Sequence, residues 1–462
     1  MLLICTQGFL FVKTEDLTGP LRNIVKRPIF VIFMVGIIAR VILMPLFSNT
    51  YDVWHWAITV QHIQAGEGLY SITGYWYTPV WGYILGAWSN VMDLFGVTDY
   101  GYLVENALVM EHEGWIGHTA TVPSMAFAFF VKIPEVIADI IAAYLIYKIV
   151  MHKTNDEKKA TYAFALWFLC PFVIFVSAVH GMFDPIVVMF MLLSIYAVMK
   201  GHNFLAGASL SVAILLKIFP IFIVPAMIAY LASKHRGDSG AFRKQLGTAA
   251  LGAGLMALLI YIPQILDGTV AETLRFLTGR MDIEGLREAG SVWDLVNLIG
   301  ARIGVFIQPV LFIAAAFLAY RMYKKNGEDA DKALISCLLI TFSVVFIIPM
   351  TPQYLLILFP FMVLFTVMYD KRFLLPFLLI SFAVMAQSIL TWNATYLIPL
   401  AAETNILNTD VLISFAREMN GLLFNASWAS VLLAVPWVAA IGGALLSAYY
   451  WMMHEKGVRE DV

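Results

Sequence analysis

Charge is scarce in this chain of 462 residues: 13% of it is Asp, Glu, Lys or Arg, against roughly 25% in a soluble domain. That shortage excludes an ordinary water-soluble globule, and the net charge of −2 gives no basis for nucleic-acid binding. Cysteine is rarer still. Cys5, Cys170 and Cys337 are all there are, and the last two fall inside apolar runs, so no disulfide framework is implied. The first twelve residues lack a basic leader and a cleavage site, so no signal peptide is expected and the first apolar run serves as anchor. The most telling gap is local. Between Arg40 and Lys132 there is no lysine and no arginine.

What is present is apolar. Hydrophobic residues make up 61% of the sequence, in runs of about 20, the length that crosses a bilayer as a helix. Lys13, Arg22, Lys26 and Arg27 precede the run from Pro28 to Phe47. Positive residues beside a span stay on the cytoplasmic side, which puts residues 48–124 on the opposite face as one outer loop. That loop is rich in Asp, Glu, His and Trp, and its apolar part at 77–95 is expected to lie on the outer face as a juxtamembrane helix.

Basic turns set the remaining alternation, at Lys153–Lys159, Lys200, Lys234–Lys244, Arg321–Lys332, Lys371–Arg372 and Lys456–Arg459. The stretch 204–232 has cytoplasmic charge at both ends, so it must turn back as a short transmembrane hairpin. Pro220 interrupts helical hydrogen bonding and places the turn at Lys217-Ile218-Phe219-Pro220. The resulting expectation is an all-α polytopic bundle of about 12 spans. It comprises a cytoplasmic N-terminus (1–27), a single membrane domain (28–452) with a second outer loop at 267–302, and a cytoplasmic tail (453–462).

In this topology several polar groups share the outer side: Asp52 after the first span, His180 and Asp184 in one short turn, Lys217 at the hairpin tip, and Thr351, Gln353 and Tyr354 in another turn. A charge at the bilayer centre costs about 2.5–3.5 kcal/mol on insertion scales, so a co-facial set points to an outward-facing cavity. Lys132, Glu135 and Asp139 share one helical face by their spacing. They either line the substrate cavity or form a buried stripe that registers helices. Arg40 either holds an anionic ligand or pairs with that stripe.

Other patterns carry less. His112-Glu113 with His118 has the wrong spacing for a zinc-binding helix, and no metal site is assigned. Gly252 and Gly254 lie in an apolar span and suit helix packing. Asn393-Ala-Thr395 and Asn425-Ala-Ser427 fit the glycosylation sequon. Trp54, Trp56, Tyr75, Trp76, Tyr77 and Trp81 suit the membrane interface.

The ordered set Tyr51-Asp52-Val53-Trp54, Gly66-Glu67-Gly68-Leu69-Tyr70, Tyr77-Thr78-Pro79, Lys132-Ile133-Pro134-Glu135 with Asp139, His180-Gly181-Met182-Phe183-Asp184, Leu216-Lys217-Ile218-Phe219-Pro220 and Pro352-Gln353-Tyr354 resembles polytopic mannosyltransferases of the PIG-M type and their bacterial and archaeal relatives. The resemblance covers roughly residues 30–370. It implies a GT-C fold and transfer of a sugar from a polyprenyl-phosphate donor to a lipid or glycan acceptor on the outer or luminal face, with Asp52 at the position of the catalytic base. Eukaryotic relatives carry Asp-x-Asp there, whereas this chain has Asp52-Val53-Trp54, so a divalent metal is not indicated and no cofactor is assigned.

The chemistry asks for two kinds of group. A carboxylate takes the acceptor's proton, with Asp52 first and Asp184 second. A cation steadies the departing phosphate, supplied by Lys217, His180 or Arg40. A single base opposite the phosphate inverts the anomeric centre. The implied location is multi-pass in the plasma membrane of a prokaryote or the endoplasmic reticulum of a eukaryote. The rival classes are a transporter or lipid flippase, which generally shows pseudo-symmetric halves that are not evident here, and a non-catalytic membrane scaffold.

Overall fold

The computed structural model describes residues 27–72, 75, 77–111, 114–273, 309–324, 329–346, 352–425 and 442, with only the backbone for 102–121, 391–394 and 420–425. The expected outer loop at 267–302 and the expected span at 428–452 lie almost wholly outside the described residues, as do both terminal segments.

Helix α1 (Pro28–Leu46) opens the described chain and is followed after three residues by α2 (Thr50–Gln64). Helix α3 (Pro79–Leu94) starts with Pro at its first position, where the missing N–H costs nothing, and it buries Val80, Trp81, Leu85 and Met92. Strands β1 (Gly101–Glu111) and β2 (Gly114–Pro123) then pair antiparallel, with an irregularity between Val104 and Ala107. This hairpin is an exception to the expected all-α class. Its Val, Ile and Thr content favours extended chain, a signal overshadowed by the segment's acidic and histidine content.

Helices α4 (Met125–Val131) and α5 (Ile133–Thr154) meet at Lys132. Helix α6 (Glu157–Phe168) leads to α7 (Pro171–Ile174), which passes into a π-turn at Phe175–His180. Helix α8 (Asp184–Met199) and α9 (Asn203–Leu216) follow. As the Pro220 argument requires, the helix stops at Leu216. Lys217 is extended, a 3₁₀ turn spans Phe219–Phe222, and α10 runs Ile223–Lys234. Lys234 Nζ donates to Met199 O at 3.0 Å, so α10 has returned to the level at which α9 began. Helix α11 (Ser239–Leu266) packs so closely on α9 that a Cβ on Gly207 would fall 1.8 Å from Ala249 O, and one on Gly252 2.1 Å from Phe204 O. The described chain continues through helices at 309–324, Ala330–Val345, Phe359–Met368, Leu374–Trp392, Ile398–Thr404 and Thr409–Asn425.

The protein is mostly helical and built for a membrane. Leu251, Leu255, Leu258, Leu259 and Ile262 on α11 are exposed, as are Val31, Val35, Ile38 and Ile42 on α1, an arrangement that water would penalise and lipid accepts. The expected count of about 12 spans is not reached. Among the described residues three helices are long and apolar enough to cross, Pro28–Leu46, Ser239–Leu266 and Lys371–Leu390, or up to four with the pair Glu157–Phe168 and Pro171–His180, bent by 49°. The other apolar runs are shorter because polar turns and prolines cut them, as at Asp184-Pro185 and at Lys217.

Two ends of the bundle are chemically distinct. At one, Lys153 pairs with Asp329 and Asp331, Tyr230 donates to Asp331 at 2.6 Å, and Lys200 Nζ meets His152 Nδ1 at 3.0 Å. At the other, α2, α3 and the residues around His180, Lys217 and Tyr396 come together.

Candidate functional site

Asn49 begins the construction. Its Oδ1 accepts from the backbone N–H of Tyr51 and Asp52, at 2.9 and 3.0 Å, and so caps α2. This fixes Asp52 in the first helical turn, where the helix dipole favours a carboxylate. Asp52 Oδ2 lies 2.8 Å from His180 Nε2, and His180 Nδ1 lies 2.9 Å from the Tyr396 hydroxyl. An ionised Asp52 can only accept, so Nε2 carries a proton. In a neutral ring Nδ1 then accepts from Tyr396.

The π-turn delivers His180, and single π-turns are frequent at functional sites. It closes on Gly181 with φ of +80°. A Cβ there would sit 2.7 Å from Val53 Cγ2 and 2.9 Å from Lys132 Cε, so both conformation and space demand glycine. Trp56 Nε1 donates to Gly181 O at 3.0 Å.

A second polar pair lies across Phe183. Lys217 Nζ donates to both Asp184 oxygens at 2.7 Å. The ammonium also sits 4.0 Å from the Tyr354 ring centroid and 5.1 Å from that of Phe183, a cation–π cradle. Phe183 in turn stacks on Trp81 at 4.9 Å and meets Trp56 and Tyr77 edgewise or tilted. Trp56, which donates to Gly181 O beside His180, thus links the two pairs through Phe183.

Their accessibility differs. The Asp52 side chain keeps 11% exposure, whereas that of Asp184 has none. Asp184 also has both oxygens committed to Lys217. Of the two carboxylates, Asp52 alone keeps an exposed edge. Gln353 is buried in the 3₁₀ turn Pro352–Ile357 that presents Tyr354. Thr351 lies outside the described residues.

The remaining expected residues are elsewhere. Arg40, expected as a phosphate ligand or a partner of the acidic stripe, takes the second course. Its guanidinium reaches Asp139 Oδ2 at 3.0 and 3.3 Å, donates to Gly36 O and Phe168 O, and lies 4.2 Å from the Phe168 ring centroid. Neither partner is exposed at all. A buried guanidinium demands a carboxylate, and Asp139 supplies it. Lys132 and Glu135 are likewise fully buried. Lys132 donates to the backbone oxygens of Met44, Phe47 and Ala178. Glu135 has both carboxyl oxygens buried with no hydrogen-bond partner among the described residues. Among the described residues there is also no group of three or more His, Cys, Asp or Glu able to hold a metal ion.

Two contributors escaped the sequence reading. Asn49 was legible in principle, as an N-cap residue directly before the helix. Tyr396 was not, since nothing in Asn393–Leu397 marks it as a histidine partner more than 200 positions away.

Known proteins agree with a membrane protein of this kind. The family model for the GPI transamidase subunit PIG-U matches residues 99–279. Over 108 residues the chain is 29% identical to GPI mannosyltransferase 1 of Candida albicans. That stretch is 23% of this chain and covers 27% of the relative's own length. Both similarities support a GT-C-like membrane architecture, and neither singles out the PIG-M type.

Proposed function

We propose that this protein is a membrane glycosyltransferase that moves a hexose, with mannose the first candidate, from a polyprenyl-phosphate donor to a lipid or glycan acceptor. The observation that carries this reading is the chain Asp52–His180–Tyr396 with Asp52 retaining an open edge. The acceptor oxygen bonds to the sugar's anomeric carbon as the carbon–oxygen bond to phosphate breaks. That bonding pair leaves with the polyprenyl phosphate, and the acceptor's proton passes to Asp52. Attack opposite the phosphate inverts the anomeric centre. His180 holds the carboxylate in orientation, and Tyr396 fixes the histidine.

Lys217 is the cation proposed for the phosphate. An ammonium has three donors, and those not used by Asp184 are available to a phosphate oxygen. The active face is the one opposite the basic turns, the outer or luminal side, with both termini cytoplasmic.

A second reading draws on the PIG-U match, which begins at residue 99 and so omits Asp52. In it the chain is a GT-C-like subunit that binds a glycolipid without transferring sugar. The deciding experiment incubates the purified protein with radiolabelled polyprenyl-phosphate hexoses and membrane lipids. Transfer by wild type, slowed by roughly 10²–10⁴-fold in Asp52→Asn, is the expected result. Folded wild-type protein that binds donor yet transfers nothing, with every hexose tried, overturns the enzyme reading in favour of the subunit.

A further inference from the structure

Beneath the candidate site, three backbone carbonyls from two segments converge on one lysine. Lys132 stands at the joint between α4 and α5 and is fully buried. Its Nζ donates to Met44 O at 2.9 Å, to Phe47 O, and to Ala178 O at 3.3 Å. Three donors meet three acceptors, so no N–H remains for a substrate. Met44 and Phe47 close α1, where terminal carbonyls lack helical partners and the dipole favours a cation. Ala178 belongs to the π-turn that ends at His180.

What those carbonyls belong to matters more than their number. Phe47, Ser48 and Asn49 form a three-residue strap between α1 and α2. Ser48 N donates to Tyr396 O at 3.1 Å, and Asn49 N donates to His180 O at 3.3 Å. The Asn49 side chain caps the turn that carries Asp52. The strap thus touches all three members of the Asp52–His180–Tyr396 chain. Lys132 holds it from below at Phe47 and holds the histidine's own turn at Ala178. Its stem also fills the space under Gly181, where a Cβ would meet Lys132 Cε at 2.9 Å.

We propose that Lys132 is a positioning residue whose ammonium clasps the two backbone segments carrying Asp52 and His180, and so sets the distance across that pair. Its catalytic consequence rests on the transferase reading; the clasp itself does not. The lysine touches neither sugar nor phosphate. Without it, the end of α1 and the π-turn lose their common anchor, and the carboxylate drifts relative to the ring that orients it.

The test uses the full-length protein in detergent with Lys132→Met. Hydrogen exchange read by mass spectrometry should rise in peptides covering 47–53 and 176–182 and stay at the wild-type level in α8 to α11. In the transfer assay kcat should fall on the order of 10²-fold, the scale of a misplacement of about 1 Å, with donor KM unchanged. Introduced on top of His180→Ala, the same change should add little further loss, because the pair it serves is already gone. A merely structural lysine instead loosens the whole bundle and costs the same factor in both backgrounds. Wild-type exchange in both segments, or a full additional loss in the His180→Ala background, overturns the proposal. Should Lys132→Met not fold, Lys132→Gln keeps two N–H donors without the charge and carries the same readouts. The exchange measurement needs no activity. A protein that transfers no sugar yet loosens at these two segments refutes the transferase reading and leaves the clasp standing.

Discussion

Replacing Lys217 by Met separates two roles that one ammonium combines. In the structure Asp184 is wholly unexposed and takes both of its hydrogen bonds from Lys217. Removing the lysine strands that carboxylate, and breaking a buried pair from one side costs about 3–5 kcal/mol. Most of this is the penalty of an unpaired buried charge. Removing both charges together, as Lys217→Met with Asp184→Leu, takes the penalty away, and such replacements are commonly neutral or better. The single variant should therefore melt well below wild type, and the double variant close to it. Donor use should follow a different course. If Lys217 also holds the phosphate, apparent donor KM stays raised in the double variant, although stability has returned. Thermal melting and donor titration of detergent-purified protein give the two readouts side by side. A double variant with normal donor KM and turnover refutes the phosphate role. A single variant as stable as wild type refutes the reasoning about the pair.

Further tests concern other residues. Asp184→Asn should lower stability, because Lys217 loses its counter-charge, yet reduce turnover of the folded protein far less than Asp52→Asn; equal losses of turnover in the two would undo the choice between the carboxylates. Arg40→Met should destabilise by about 3–5 kcal/mol, the cost of stranding buried Asp139, while donor KM stays put; a raised KM in a stable variant would return Arg40 to the site. For topology, a cysteine at Asp99 should react with an impermeant thiol reagent in intact cells, and one at Lys158 only after permeabilisation. Native Cys170 and Cys337 are buried, and Cys5 is replaced in the test background. Reversed labelling overturns the proposed orientation.

The parts of the fold that were legible are those fixed by local rules. The break at Lys217 followed from charge on both sides of 204–232 together with Pro220, and the helix does stop at Leu216. The helix at Pro79–Leu94 was visible as an apolar run that could not cross without upsetting the alternation of charge. The hairpin Gly101–Pro123 was not visible, since a two-stranded ribbon in an acidic stretch carries little hydropathy signal. The count of about 12 spans is not confirmed, since three or up to four helices among the described residues are long and apolar enough to cross. A run of apolar residues shows that a segment is buried or faces lipid, but a turn such as His180–Asp184 decides how long its helices are.

The site shows a different limit. The sequence left open whether Arg40 pairs with the stripe that holds Asp139, and the choice is decided by a contact across 99 positions. A buried charge must first be compensated internally, and that demand takes precedence over any ligand. Arg40 is spent on Asp139, Lys132 on three carbonyls and Lys217 on Asp184. Each of these three buried cations thus already has a partner. On the proposed reading, an anionic donor would share Lys217 with Asp184 and would not simply fill an empty positive site. On the proposed reading, donor binding would draw the ammonium partly off Asp184. The same sharing leaves Asp52 untouched, because its hydrogen bond runs to His180 and not to a cation the phosphate would claim. On that reading Asp52 would stay oriented by His180 while the leaving group is bound.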